Sequence, residues 1–207
     1  MSKYRKIVWN EGMLLTPHHF QQWDNYYEDL LNSRIRSTRP FEYGVLDLKV
    51  NQEAINNGEF QITNCHAVLP DGLVVNVPDA EGVPDMRPIG DHFHPEKEKL
   101  GVHLAIPAKK IGEANYQASG APRDNNVRYL QEGALAKDET SGTNEQPVAY
   151  AKSNLRLIFD DELRDGFTSM KIAELERTPT GQLKISENFI PPVLKASASS
   201  WLVNVLR

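Results

Sequence analysis

Phe20, Trp23, Tyr27, Leu30, Leu31 and Ile35 recur at helical spacing near the start of the chain. At about 100° per residue they fall on one face, with Asp24, Asn25, Glu28, Asp29, Asn32 and Ser33 mostly on the other. Thr16 is placed to cap this helix, and Pro17 stands at its first position, where a missing N–H costs nothing. Pro40 disfavours helical backbone just before it, so the predicted helix spans 17–38. Its apolar stripe is expected to pack on a sheet or a neighbouring subunit.

Beyond Pro40 the apolar period changes from helical to partly alternating. Phe41 to Val50 and Glu59 to Leu69 read as strands, and the turn Leu69-Pro70-Asp71-Gly72 joins the second to Leu73–Val77 as a β-hairpin. Asn56-Asn57-Gly58 is another turn signal. Pro78 to Lys99, rich in Pro, Asp and His, reads as a loop, and Leu100 to Pro107 as a buried strand. Lys109 to Asn126 is polar and reads as a long loop. Val127–Ala136 and Gln146–Phe159 are predicted strands around the polar tip Lys137–Glu145. Thr168–Arg177 and Gln182–Ile185 form a predicted hairpin about Pro179-Thr180-Gly181. Phe189 to Leu194 is an apolar, proline-rich exit, after which Ser197–Ser200 can cap a helix beginning near Trp201.

Short strands punctuated by turns predict a mainly β fold, a β-sandwich with one N-terminal helix and the start of a C-terminal one. Residues 1–190 are expected to form the sandwich domain and 191–207 the exit and helix start. A helix running out on Trp201-Leu202-Val203-Asn204-Val205-Leu206 predicts that the natural chain continues.

With 207 residues, 40% hydrophobic and 25% charged, the chain is long enough for a sizeable core and too apolar to be disordered. A net charge of −5 lacks the basic footprint of a nucleic-acid binder. Cys65 is the only cysteine, so no internal disulfide forms; its position in a predicted strand suits a small buried side chain. The basic start has no apolar run behind it, and no stretch approaches the ~20 apolar residues needed to cross a bilayer. A cytoplasmic protein without direct membrane insertion is expected.

Signals for catalysis are weak. In an extended segment His92 and His94 of Asp91-His92-Phe93-His94 point to one side, but a third metal ligand, His66 or His103, would have to come from elsewhere. His18 and His19 diverge by about 100° on a helix. There is no nucleophile elbow, phosphate-binding loop or dinucleotide fingerprint. Asp160-Asp161-Glu162 reads as a solvated turn. The pattern predicts no enzyme, no cofactor and no metal, and a protein that works through its surface.

Val8-Trp9-Asn10-Glu11-Gly12-Met13-Leu14-Leu15-Thr16-Pro17-His18-His19-Phe20-Gln21-Gln22-Trp23-Asp24 closely resembles the opening of the TssK family, baseplate subunits of bacterial type VI secretion systems. That family begins with Trp-x-Glu/Asp-Gly, then apolar residues, then Pro-x-x-Phe-Gln leading into a helix. Asn188-Phe189-Ile190-Pro191-Pro192-Val193-Leu194 resembles the segment its members carry before their helical region. The resemblance implies a sandwich similar to the shoulder domain of phage receptor-binding proteins, in a homotrimer that joins the TssF and TssG wedge to the inner-membrane complex. It places the protein at the cytoplasmic face of that membrane, with the N-terminal domain on the wedge. Family members are longer, and the neck and head that face the membrane complex are expected to be absent here.

Trp9, Met13, Leu14, Leu15 and Phe20 are the candidate apolar contacts with the wedge or within the trimer, the alternative being that they are plain core of a single subunit. Gly12 permits a sharp change of direction, and Glu11 and His18 are candidates for orienting hydrogen bonds. The competing reading is a carbohydrate- or ligand-binding sandwich module.

Overall fold

Residues 4–117, 120–122 and 126–206 are described by a computed structural model. They form two compact units, Met1–Glu42 and Tyr43–Arg207. The first is built around helix α1, Pro17–Thr38. Thr16 is its extended N-cap, Pro17 its first residue, and an Arg36–Glu42 ion pair of 2.9 Å follows its last turn.

The second unit opens with strand β1 (Gly44–Val50), then a short helix α2 (Gln52–Asn56), β2 (Glu59–Phe60), β3 (Ile62–Val68), β4 (Val74–Val77) and β5 (Arg87–Pro88). The chain continues through β6 (Lys99–Pro107), β7 (Tyr116–Gln117), β8 (Tyr129–Ala136), β9 (Gln146–Ser153), β10 (Arg156–Phe159), β11 (Phe167–Arg177) and β12 (Leu183–Ile185). A 3₁₀ turn, Ala196–Ala198, leads into helix α3, Ser200–Val205, which Ser199 caps through Leu202 N–H.

The predicted hairpin is present. Gly72, at φ +94°, closes the β3–β4 turn, and its N–H donates to Leu69 O at 2.9 Å. Three expectations change. The Asn56–Gly58 turn is preceded by α2, because the Asn51 side chain accepts from Glu53 and Ala54 N–H and starts a helix. The loops 78–99 and 109–126 carry β5 and β7; residues 118, 119 and 123–125 of the second lie outside the described residues. The single strand expected over Gln146–Phe159 is two, since buried Asn154 bonds Val127 O and Arg128 O and turns the chain from one sheet to another.

Strands pair in the order β1-β3-β4 in one sheet and β10-β6-β11-β12 in another. One hydrophobic core lies between them, so the unit is a sandwich. Val45, Cys65, Ala67, Val75 and Val77 come from the first sheet, and Leu100, Val102, Leu104, Ile106, Leu157, Phe159 and Met170 from the second. Along β6 every second residue from Leu100 to Ile106 faces the core, as period 2 requires. In β11 the apolar phase slips, with Met170 and Ile172 in one register and Ala173 and Leu175 in the next. The pairing skips Ile172 between Lys171↔His103 and Ala173↔Val102. This bulge absorbs one residue and keeps all four side chains buried. A third sheet, in the order β7-β8-β9, departs from this layered scheme: β7 pairs only with the start of β8, at Tyr129 and Leu130, and beyond it residues 131–135 and 146–151 are exposed on both faces.

On the outer face of the second sheet, Asp160 accepts from Gly101 N–H at 2.9 Å and lies 2.7 Å from His103 Nε2. Lys171 bridges Asp160 and Glu174, at 3.5 and 2.8 Å, and Lys99 reaches Glu174 at 2.7 Å. Burial works against the charged form of each acid. For Asp160 the His103 bond and the Lys171 charge outweigh it, and for Glu174 the Lys171 and Lys99 bonds do, so both stay below the ordinary carboxylate range. For His103 burial wins over the Asp160 bond, and the imidazole titrates below its usual 6.5. The unfolded chain therefore binds protons more readily than the fold at all three groups. Stability should fall as pH drops below 6.5, through His103, and fall further below the ordinary carboxylate values. Urea unfolding between pH 7.5 and 3 measures this, and His103→Asn should flatten the upper part of the curve. A wild-type profile flat from 7.5 to 5 would contradict it.

Candidate functional site

The segment before α1 takes its shape from a few local bonds. Asn10-Glu11-Gly12-Met13 forms a turn, closed by Met13 N–H on Asn10 O at 3.4 Å. Gly12 lies at φ +77°, where any other residue is strained. Thr16 N–H then donates to His19 Nδ1 at 3.1 Å, and Thr16 Oγ1 lies 2.9 Å from the same nitrogen. His19 thus fills the place in a capping box usually held by Glu or Gln. The bond requires Nδ1 to be the unprotonated nitrogen.

This turn brings Trp9 back against the helix. Its ring lies 6.1 Å from Trp23, edge-on, and 6.2 Å from His19; Trp23 in turn meets Tyr27 at 5.8 Å. Such T-shaped pairs are worth about 0.5–1.5 kcal/mol each beyond burial. The ladder orders the segment but does not bury it. Leu14 is 82% and Leu15 54% exposed, and Trp9, Phe20, Trp23, Tyr27, Leu31 and Ile35 are exposed as well. No residue of α1 is buried.

Of the residues singled out by sequence, Trp9 joins the aromatic ladder, Gly12 makes the turn and Met13 is half-buried. Leu14, Leu15 and Phe20 project outward, and Glu11 and His18 are exposed. The ordering bond is made by His19, which sequence reasoning passed over. Its position three residues after a Thr cap was the available signal. Apolar side chains from Trp9 to Ile35 thus stay exposed along a mostly polar segment.

The other candidates resolve into structure. His92 Nδ1 pairs with Asp161 at 3.0 Å, Nε2 lies 3.4 Å from Arg87, and the ring packs 4.7 Å from Phe159. Asp160-Asp161-Glu162 is the exposed turn expected, and its three carboxylates also act as anchors. Asp160 holds His103 and Gly101, Asp161 holds His92, and Glu162 holds Arg87 and the Phe159 N–H. Burial, followed by the charges of Asp47 and Glu81, pushes the Cys65 thiol up to about 12, which makes it a poor nucleophile. Among the described residues no three His, Cys, Asp or Glu side chains are grouped to hold a metal, and no helix is long and apolar enough to cross a membrane. A groove of about 490 Å³ beside β12 is lined by Leu48, Val50, Ile172, Phe189 and Pro191 among others.

The sequence profile of the family described as Bacterial Type VI secretion, VC_A0110, EvfL, ImpJ, VasE matches residues 19–207. Type VI secretion system baseplate component TssK1 of Pseudomonas aeruginosa is 28% identical over 206 residues, covering 99% of this chain and 45% of that protein. The chain therefore spans less than half the length of this curated relative. The fold superposes on a chain of the TssK-TssF-TssG baseplate subcomplex seen by cryo-electron microscopy with a TM-score of 0.87, at 22% identity over 99% of this chain and 67% of that one. On the crystal structure of TssK the TM-score is 0.84, at 25% identity over 98% of this chain and 46% of that one.

Proposed function

The chain belongs to the bacterial type VI secretion family that includes ImpJ and VasE, and on that premise we propose that it is a structural baseplate component whose N-terminal domain docks on the TssF and TssG wedge. It acts as a homotrimer in the cytoplasm, at the inner face of the inner membrane, and its role is adhesive and not catalytic. Residues 1–190 form the wedge-side domain, and 191–207 begin a helical neck. Attachment to the membrane complex belongs to parts of the longer relatives that have no counterpart in these residues.

The observation that carries this reading is the apolar strip from Trp9 through Leu15 and along α1, held in shape by the turn at Gly12 and the His19 cap yet left open to solvent. Ordering a surface before it binds removes part of the entropic cost of association. Burying a leucine side chain contributes about 1.5–3 kcal/mol, and Leu14, the most exposed side chain of the strip, has the largest fraction of its surface left to bury.

Replacing both, Leu14→Asp with Leu15→Asp, is expected to weaken binding to immobilised TssF–TssG by about tenfold or more. The circular dichroism spectrum should stay unchanged, because both side chains are exposed. Light scattering of the unaltered chain should report three copies. A double variant that binds the wedge as tightly as the parent overturns the docking proposal, and a monomer overturns the trimer.

A further inference from the structure

The chain joins the sandwich at Gly44 and leaves it at Leu194, and these two points are clasped together. Val45 N–H donates to Pro192 O at 2.8 Å and Leu194 N–H donates to Val45 O at 2.9 Å. The two bonds flank Val193, which pairs with Val45 as an isolated parallel bridge. The close approach is built into the sequence. A β-carbon on Gly44 would sit 2.9 Å from the backbone carbonyl of Pro192, and Gly44 adopts φ +149°. Pro191 is buried and Val193 packs partly against the core.

The direction of the bridge decides how it responds to load. The N-terminal unit continues upstream from Gly44, and α3 continues downstream from Leu194. In parallel segments, upstream on one and downstream on the other are opposite directions. Tension between the N-terminal unit and α3 therefore slides one segment along the other and strains both hydrogen bonds at once. The same tension cannot peel them apart one after the other.

The geometry points to a mechanical clasp: pulling force between the N-terminal unit and α3 passes across Val45 and Val193, and the sandwich hangs outside the load path until that clasp breaks. This holds whether or not Leu14 and Leu15 dock on the wedge, because it depends only on where the two segments meet. It implies a protein suited to transmitting tension end to end, with its β-layers shielded from it.

Optical tweezers with handles at both ends of the full chain test it. α1 should give way first. Segment 44–194 should then extend in a single step, at a force about twofold higher or more, since forced unfolding is governed by the barrier and not by equilibrium stability. Leu194→Pro removes one donor and is expected to lower that force by about half while moving the urea midpoint far less. Stepwise extension from the α3 side at the force that unravels α1 would overturn the proposal. So would equal rupture forces for parent and variant. Should Leu194→Pro fail to fold, the single-step measurement on the parent chain still decides.

Discussion

Arg128→Met is expected to cost about 3 kcal/mol of folding stability, the lower end of the range for breaking a buried ion pair. The Arg128 side chain is 3% exposed and its guanidinium serves three partners. Nη2 meets Asp71 at 2.7 Å, Nη1 donates to Pro107 O at 2.9 Å, and Nε donates to the Tyr129 hydroxyl at 3.2 Å. These bonds fasten the β3–β4 turn to the end of β6 and the start of β8. Methionine fills much of the volume but leaves the Pro107 carbonyl without this donor and takes the guanidinium away from Asp71. Asp71 keeps some access to water, which limits the penalty.

Arg128→Lys should recover only part of the loss, because one ammonium cannot match three acceptors in a planar fork. Urea unfolding gives the values, and the cycle with Asp71→Asn should show strong non-additivity. A loss below about 1 kcal/mol for Arg128→Met would place this pair among ordinary surface ion pairs.

Gly101→Ala is expected to cost about 2–4 kcal/mol, although it adds a single methyl group to a β-strand, where alanine is ordinarily tolerated. The new β-carbon would lie 2.1 Å from Asp160 Oδ2 and 2.5 Å from Lys171 Cε. The carboxylate must leave, and it then loses both the Gly101 N–H and His103. His103 Nδ1 is buried without a hydrogen-bond partner among the described residues, so losing the Nε2 contact strands the whole ring. The variant should also lose much of the acid sensitivity expected of the parent, since Asp160 would titrate in water. Measuring unfolding free energy at pH 7 and pH 4 separates the two effects. A Gly101→Ala protein with parental stability and parental pH dependence would show that Asp160 relaxes freely.

Local chemistry made some of this fold legible and tertiary chemistry hid the rest. Thr16-Pro17 and Leu69-Pro70-Asp71-Gly72 announce a helix start and a hairpin because cap and turn geometries are satisfied by neighbouring residues. The phase slip at Ile172 is written in the sequence, but whether a bulge or a strand end answers it depends on β6 alongside. Asp160-Asp161-Glu162 reads as a solvated turn because its partners Arg87, His92, Gly101, His103 and Lys171 lie on β5, β6, β11 and the loop after β5. Asn154 reads as one polar residue in a strand, and only its bonds to Val127 and Arg128 reveal the break. At the candidate site the apolar residues were plain from the sequence. Their ordering was not, because Trp9 meets Trp23 only after the Gly12 turn folds the chain back.

Past its base, where β7 pairs with Tyr129 and Leu130, the β8–β9 hairpin has neither side turned toward a core, so its outer part is held in register chiefly by its own ladder and cross-strand neighbours. It is thermodynamically detached: its outer rungs can melt and re-form while the sandwich stays intact. Changes of length or composition between Ala136 and Gln146 are therefore nearly free in folding terms. That stretch is the natural place to carry a fluorophore or epitope for following the protein through assembly.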